Sequence, residues 1–181
     1  MDPRLAAAAL LIAAAAVVPA PARAQTQMVA PTEHPIPESL HLEHQVTNEY
    51  LTKLSQRPGA IGAEAGKLLG LFKAHMAKEE EYILPPLVLL PALARGQVTP
   101  DMTWAIPMSD RVKAEQEQIF QSHVAVVEQA MALELAADNA GDEEVRDWVR
   151  SAIIDDMGDL ELMEPMSALI GDIIRSKLPT K

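Results

Sequence analysis

Four stretches of this chain repeat apolar residues at spacings of three and four and none alternates them at a spacing of two, so the expected building blocks are amphipathic helices alone. The first begins near Ser39, a candidate N-cap, and places Leu40, His44, Thr47, Leu51 and Leu54 on one stripe before Arg57, Pro58 and Gly59 end it. The second, residues 60–84, carries Leu68, Phe72, His75, Glu79 and Ile83 on a seam that Pro85 and Pro86 close. In the third, residues 109–137, Ile119, His123, Val126, Val127, Ala130 and Met131 form the apolar face, and a turn at 138–142 follows. The fourth, residues 143–176, aligns Trp148, Ala152, Asp155, Asp159, Leu162, Met166, Leu169 and Ile173. Such helices bury their stripes against one another, and the expected fold is an all-α, up-down four-helix bundle over residues 39–178. Between its second and third helices, residues 87–108 hold Pro91, Gly96, Pro100 and Pro107 among Leu and Val, too apolar for a solvated linker. This segment reads as a short extra helix over 87–95 and a loop that covers one end of the bundle.

The first 24 residues have the layout of a signal peptide. Residues 5–18 are an unbroken apolar run, and Pro19, Pro21 and the small-residue triplet Ala22, Arg23, Ala24 follow. Cleavage after Ala24 is expected, with an uncleaved membrane anchor as the alternative, because the run approaches the length of a bilayer span. Pro31, Pro35 and Pro37 make residues 25–38 an extended leader. The formal charge of −11 becomes −12 without residues 1–24, which carry Arg4 and Arg23 against Asp2. A surface so acidic repels nucleic acid and anionic lipid and favours cations as small partners. The chain has no cysteine, which excludes thiolate-bound zinc, iron–sulfur clusters and disulfides, so any metal must rest on His, Asp and Glu.

A His or carboxylate on an apolar stripe is costly unless it is paired or bound to metal. His44, His75 and His123 each interrupt such a stripe, whereas His41 shares its face with Gln45 and Asn48, and His34 lies in the leader. For one such position a hydrogen-bonded core histidine is the plainer reading. Three on three helices at one level of a bundle shift the balance toward a common site. Glu79 follows His75 by four residues, which points both side chains into one pocket. Imidazole with carboxylate suits non-haem iron, with manganese and zinc as competitors. Asp155 and Asp159 are again four apart. Asp156, Glu161 and Glu164 nevertheless make that helix acidic on several faces, and a small change of phase would put both aspartates in water. In the Glu79–Glu81 run, Glu80 and Glu81 read as a solvated face.

The segment HMAKEEEYILPPL, residues 75–87, resembles the HHE motif of hemerythrin-like cation-binding domains. In that family four helices supply a His, an HxxxE pair, another His and a second HxxxE pair to a non-haem di-iron site. LHLEHQVTNEYL would contribute His44, and QIFQSHVAVVEQA would contribute His123. The resemblance runs over residues 39–178, with a longer connection before the third helix than minimal members have. Its second motif departs from the pattern. Ten residues back from Pro165 stands Asp155, and the family's Glu falls on Asp159, so the pair reads DxxxD. The metal set implied is thus His44, His75, Glu79, His123, Asp155 and Asp159, holding two irons, one or none. A more anionic site stabilises the oxidised metal and argues against reversible oxygen carriage.

Three functions follow from the resemblance and the departure. The first is a periplasmic iron-binding protein that interacts with O2, NO or peroxide, with no nucleic acid or membrane partner after signal cleavage. The second is an iron-dependent oxidase or peroxide-handling enzyme. The third is a metal-free bundle that acts as an interaction protein. No serine-nucleophile elbow, phosphate-binding glycine loop or dinucleotide fingerprint offers other chemistry.

Overall fold

The computed structural model describes residues 34–178; the signal-like segment and most of the extended leader lie outside them. The described residues are helical, with no strand among them, as the periodicity implies. Helix α1, Glu38–Ser55, starts directly after the last proline of the leader, whose ψ of 128° is still extended. Ser39 is therefore inside the first turn and is not the N-cap, and Glu38 complements the positive end of the helix instead. After Pro58 and Gly59 the chain reverses into α2, Ala60–Lys78. The reversal is tight enough that a Cβ on Gly62 would stand 1.8 Å from the Arg57 carbonyl oxygen, so only glycine fits.

α2 runs into a π-helical turn, Glu79–Ile83, and the two prolines then force a 3-10 turn, Pro85–Leu89, leading to the short α3, Leu90–Ala94. A second 3-10 turn, Pro100–Trp104, precedes α4, Ala105–Ala114. The expected third helix is divided: Glu115 leaves helical geometry at φ −105° and ψ 12°, and α5, Gln116–Ala140, continues from it. Gly141, left-handed at φ 70°, ends α5. Asp142 then caps α6, Glu143–Gly158, by accepting a hydrogen bond from the Val145 amide. The fourth expected helix is interrupted as well, by a π-helical turn at Asp159–Met163 between α6 and α7, Glu164–Lys177. No helix among the described residues is long and apolar enough to cross a membrane.

α1 packs on α2, α2 on α5 and α5 on α6, while α4 packs on α7. The apolar residues gather into two cores. One holds Leu51, Leu68, Val126, Leu133 and Val149; the other holds Tyr82, Ile83, Val112, Ile119 and Ile170. Each long helical run crosses from one core to the other, and a buried polar side chain sits at the crossing. His44 lies between Leu40 and Leu51, His75 and Glu79 between Leu68 and Tyr82, His123 between Ile119 and Val126, and Glu164 between Val149 and Ile170. The fold is thus apolar, polar, apolar along its length.

The apolar stripe expected on the fourth run is corrected. Leu162 and Leu169 are 63% and 54% exposed and Met166 is exposed too, while Ser167, Ala168, Ile170, Gly171 and Ile174 are buried. α4 comes so close to α7 that a Cβ on Gly171 would lie 2.7 Å from Ser109 Cβ, and the Ser109 hydroxyl donates to the Ser167 carbonyl. Close approach selects small residues for the inner face and leaves the bulky ones outside. On α5 Met131 is likewise exposed, one position off the buried row Ile119, His123, Val126, Ala130, Leu133 and Ala137.

Candidate metal centre

The polar layer is built around Glu79, which is 2% exposed. Its Oε1 stands 3.2 Å from His75 Nε2, four residues earlier on the same helix, and its Oε2 stands 3.1 Å from His44 Nε2 on α1. From the other half of the molecule comes His123, whose ring lies edge-on to that of His75 with centroids 4.3 Å apart. One ligand atom each from His75, Glu79 and His123 falls within 4.8 Å of the other two. His123 Nε2 donates at 2.8 Å to Glu164, a carboxylate that is itself buried.

Every imidazole is anchored at its second nitrogen. His44 Nδ1 bonds to Glu80 at 3.0 Å, His123 Nδ1 to Asp156 at 3.1 Å, and His75 Nδ1 lies 3.2 Å from the Ser122 hydroxyl. The other oxygen of Asp156 is 3.6 Å from His75 Nε2. Three rings are thereby turned so that their Nε2 atoms face carboxylates in the interior. That is the arrangement by which proteins orient imidazoles for a metal, with the outer partner selecting tautomer and angle.

The two π-helical turns position these groups. In the first, the Leu84 amide reaches back five residues to the Glu79 carbonyl at 2.8 Å, so Glu79 and both Ile83 and Leu84 face inward. In the second, the Glu164 amide reaches back to the Asp159 carbonyl. The extra residue sets Asp156 and Glu164 eight positions apart, where an uninterrupted helix would repeat at seven, and both reach His123. The turns start 80 residues apart, at Glu79 and Asp159, and each is followed by a proline, Pro85 or Pro165. The two turns and their prolines therefore recur at one spacing in the two halves of the chain.

No family model, curated protein or solved structure matches the chain.

Burial and charge make the layer strongly coupled. Burial alone would push the His44 imidazole down, but hydrogen bonds to Glu79 and Glu80 overcome it and raise His44 to about 9. His123 is raised to about 10 in the same way, with Asp156 and Glu164 overriding its burial. Burial works against the charged Glu79 carboxylate, yet the hydrogen bonds from His44 and His75 hold it well below its ordinary range. Asp159, desolvated and repelled by Glu79, Glu43 and Asp156, is pushed up to about 7.

His44, His75, Glu79 and His123 are thus brought together. Asp155 is exposed and Asp159 half-buried; both line a groove that opens onto the layer, and neither bonds to a histidine among the described residues. The aspartate that reaches His75 and His123 is their neighbour Asp156, one step of helical phase away. Glu80 is corrected from a solvated position to the anchor of His44, whereas Glu81 is exposed and pairs with Arg111. Glu164, which the sequence shows only as one of several acidic neighbours on the fourth run, is buried against His123. Its one signal was its place before Pro165, where the first motif has the buried Leu84 before Pro85.

Proposed function

We propose that this chain is a hemerythrin-like, four-helix metal protein that holds non-haem iron in its polar layer and there engages O2, NO or peroxide. In this reading residues 1–24 direct it to the periplasm. The observation that carries the proposal is the set of three imidazoles from three helical runs, each fixed at Nδ1 and turned through Nε2 onto a buried carboxylate. Imidazole and carboxylate in this ratio fit iron, with manganese and zinc as rivals. His75, Glu79 and His123 would hold one ion; His44, against the other oxygen of Glu79, and Glu164, against His123 Nε2, are the further donors at the edges of that group. Iron bound there supplies Lewis acidity and one-electron redox chemistry toward a small ligand. The protein's own contribution is to orient the imidazoles through their Nδ1 partners, balance the charge with carboxylates and hold the layer between two apolar cores, with the groove as its opening.

A second reading, an iron-dependent oxidase, draws support from the groove of about 400 Å³ whose floor includes His44, His75 and Glu79, since O2, NO or peroxide needs far less room. The test is absorption spectroscopy of protein reconstituted anaerobically with ferrous iron, taken reduced, in air, with NO and after peroxide. New charge-transfer bands with at least one of these ligands are expected. Iron-loaded protein whose spectrum responds to none of them would rule out the proposed function, and O2 consumption far beyond the iron present with an added substrate would favour the oxidase.

A further inference from the structure

α1 lies along α2 but scarcely touches α6, except where Tyr50 meets Trp148 with ring centroids 4.4 Å apart. Between them the groove of about 400 Å³ stays open. Its two ends differ in chemistry. Toward the C-terminal end of α1 the walls are apolar, formed by Val46, Leu51, Leu68, Phe72, Val126 and Trp148. Toward its N-terminal end, Glu43 on α1 meets Asp155 and Asp159 from the α6 side.

A seam between neighbouring helices closes when its facing residues are apolar or opposite in charge. This one sets carboxylate against carboxylate. No Lys or Arg lines the groove, and among the described residues Glu43, Asp155 and Asp159 make no ion pair or side-chain hydrogen bond. The imidazoles at the floor are already committed to Glu79, Glu80 and Ser122. A cation is what the acidic end lacks. An inorganic ion would answer the carboxylates but leave the apolar walls in water, whereas burying those walls favours an occupant with an apolar body.

We propose that the α1–α6 groove binds a small amphipathic organic cation, of the alkylammonium class, with its ammonium among Glu43, Asp155 and Asp159 and its apolar body along Phe72 and Trp148. The groove shares its floor with the metal centre, but binding does not depend on a metal being present. The inference therefore goes beyond the proposed function and can stand or fall separately.

The chain has two tryptophans, and Trp104 is away from the groove, stacked on His34. Trp104→Phe leaves Trp148 as a single fluorescent reporter inside it. Metal-free protein carrying this substitution would be titrated with octylammonium, octanol and octanoate below their aggregation limits. Octylammonium should give a saturable change in Trp148 emission, with octanoate at least tenfold weaker. Adding Glu43→Gln and Asp155→Asn should weaken octylammonium about tenfold and leave octanol unchanged. Octanoate binding as tightly as octylammonium, an unaltered octylammonium affinity in that variant, or no saturable change at all would overturn the proposal. A saturable change with calcium but not with octylammonium would overturn it too. Metal content measured on parallel samples separates the two ideas, because octylammonium binding by a chain that takes up no iron sinks the metal reading alone.

Discussion

Asp156 touches two histidines without sharing a helix with either, which makes it the residue best placed to report on their orientation. Asp156→Asn keeps its shape and removes its charge from His123 Nδ1. Loss of such an outer partner typically lowers metal affinity about 10–100-fold, and competition against a chromophoric chelator should show a fall of that order with stoichiometry kept at saturation. An unchanged affinity would mean that His123 needs no anchor. The pH dependence of the metal-free protein is a second residue-level consequence. His44 and His123 titrate at about 9 and about 10, above the 6.5 of an unperturbed imidazole, so the stability they contribute is complete below 6.5 and lost as pH rises through those values. Asp159, raised from 3.8 to about 7, adds a loss of the same sign in a lower window, between those two values, because its ionised form is the one burial disfavours. Thermal unfolding of metal-free protein should therefore show a Tm that falls steadily above pH 6.5. Metal loading displaces the imidazole protons, so the loaded protein should show a much flatter profile.

At the scale of elements, the second π-helical turn decides which side chains the fourth run turns inward. Deleting Glu161, which is exposed, would return Asp159–Met163 to α-helical geometry and rotate α6 by about 100° relative to α7. Asp156 and Glu164 would no longer share His123, and metal stoichiometry in the reconstituted deletion variant should drop while far-ultraviolet circular dichroism stays helical. Undiminished stoichiometry would show that the turn is dispensable. The same turn explains what was legible in the sequence. His44, His75, Glu79 and His123 stood out because each breaks a regular apolar stripe. On the fourth run the stripe was phased on Trp148, which is half-buried, whereas the buried row is Val145 and Val149, the latter seven before Asp156, so Asp155 took the place of Asp156; beyond it, the residue inserted at the π-helical turn has no periodic signature. The small inner face of α7 compounded this: with Ser167, Ala168 and Gly171 inside, bulk marked the outer face and hid Glu164. Seven α-helices stand among the described residues where four and a short extra one were expected, because the backbone break at Glu115 and the second π-helical turn leave apolar spacing almost unchanged.

For the whole molecule, the notable arrangement is a charged layer held between two apolar cores. Without metal, that layer relies on imidazolium–carboxylate pairs, whose attraction carries a desolvation cost and fades as the imidazoles lose their protons. A bound ion would reverse this by taking His75, Glu79 and His123 together as ligands. Ligand linkage at a free metal concentration 100 times Kd stabilises the folded state by about 2.7 kcal/mol. Ferrous reconstitution should accordingly raise the unfolding midpoint, chelation should lower it again, and His75→Ala should abolish the difference.

The central claim is that His75, Glu79 and His123, with His44 beside them, form a metal site. Metal analysis of the purified chain after anaerobic reconstitution with ferrous iron, beside its Glu79→Ala variant, tests it most directly. At least one iron per chain is expected in the parent and a loss of bound iron in the variant; a parent chain that remains free of iron would contradict the account.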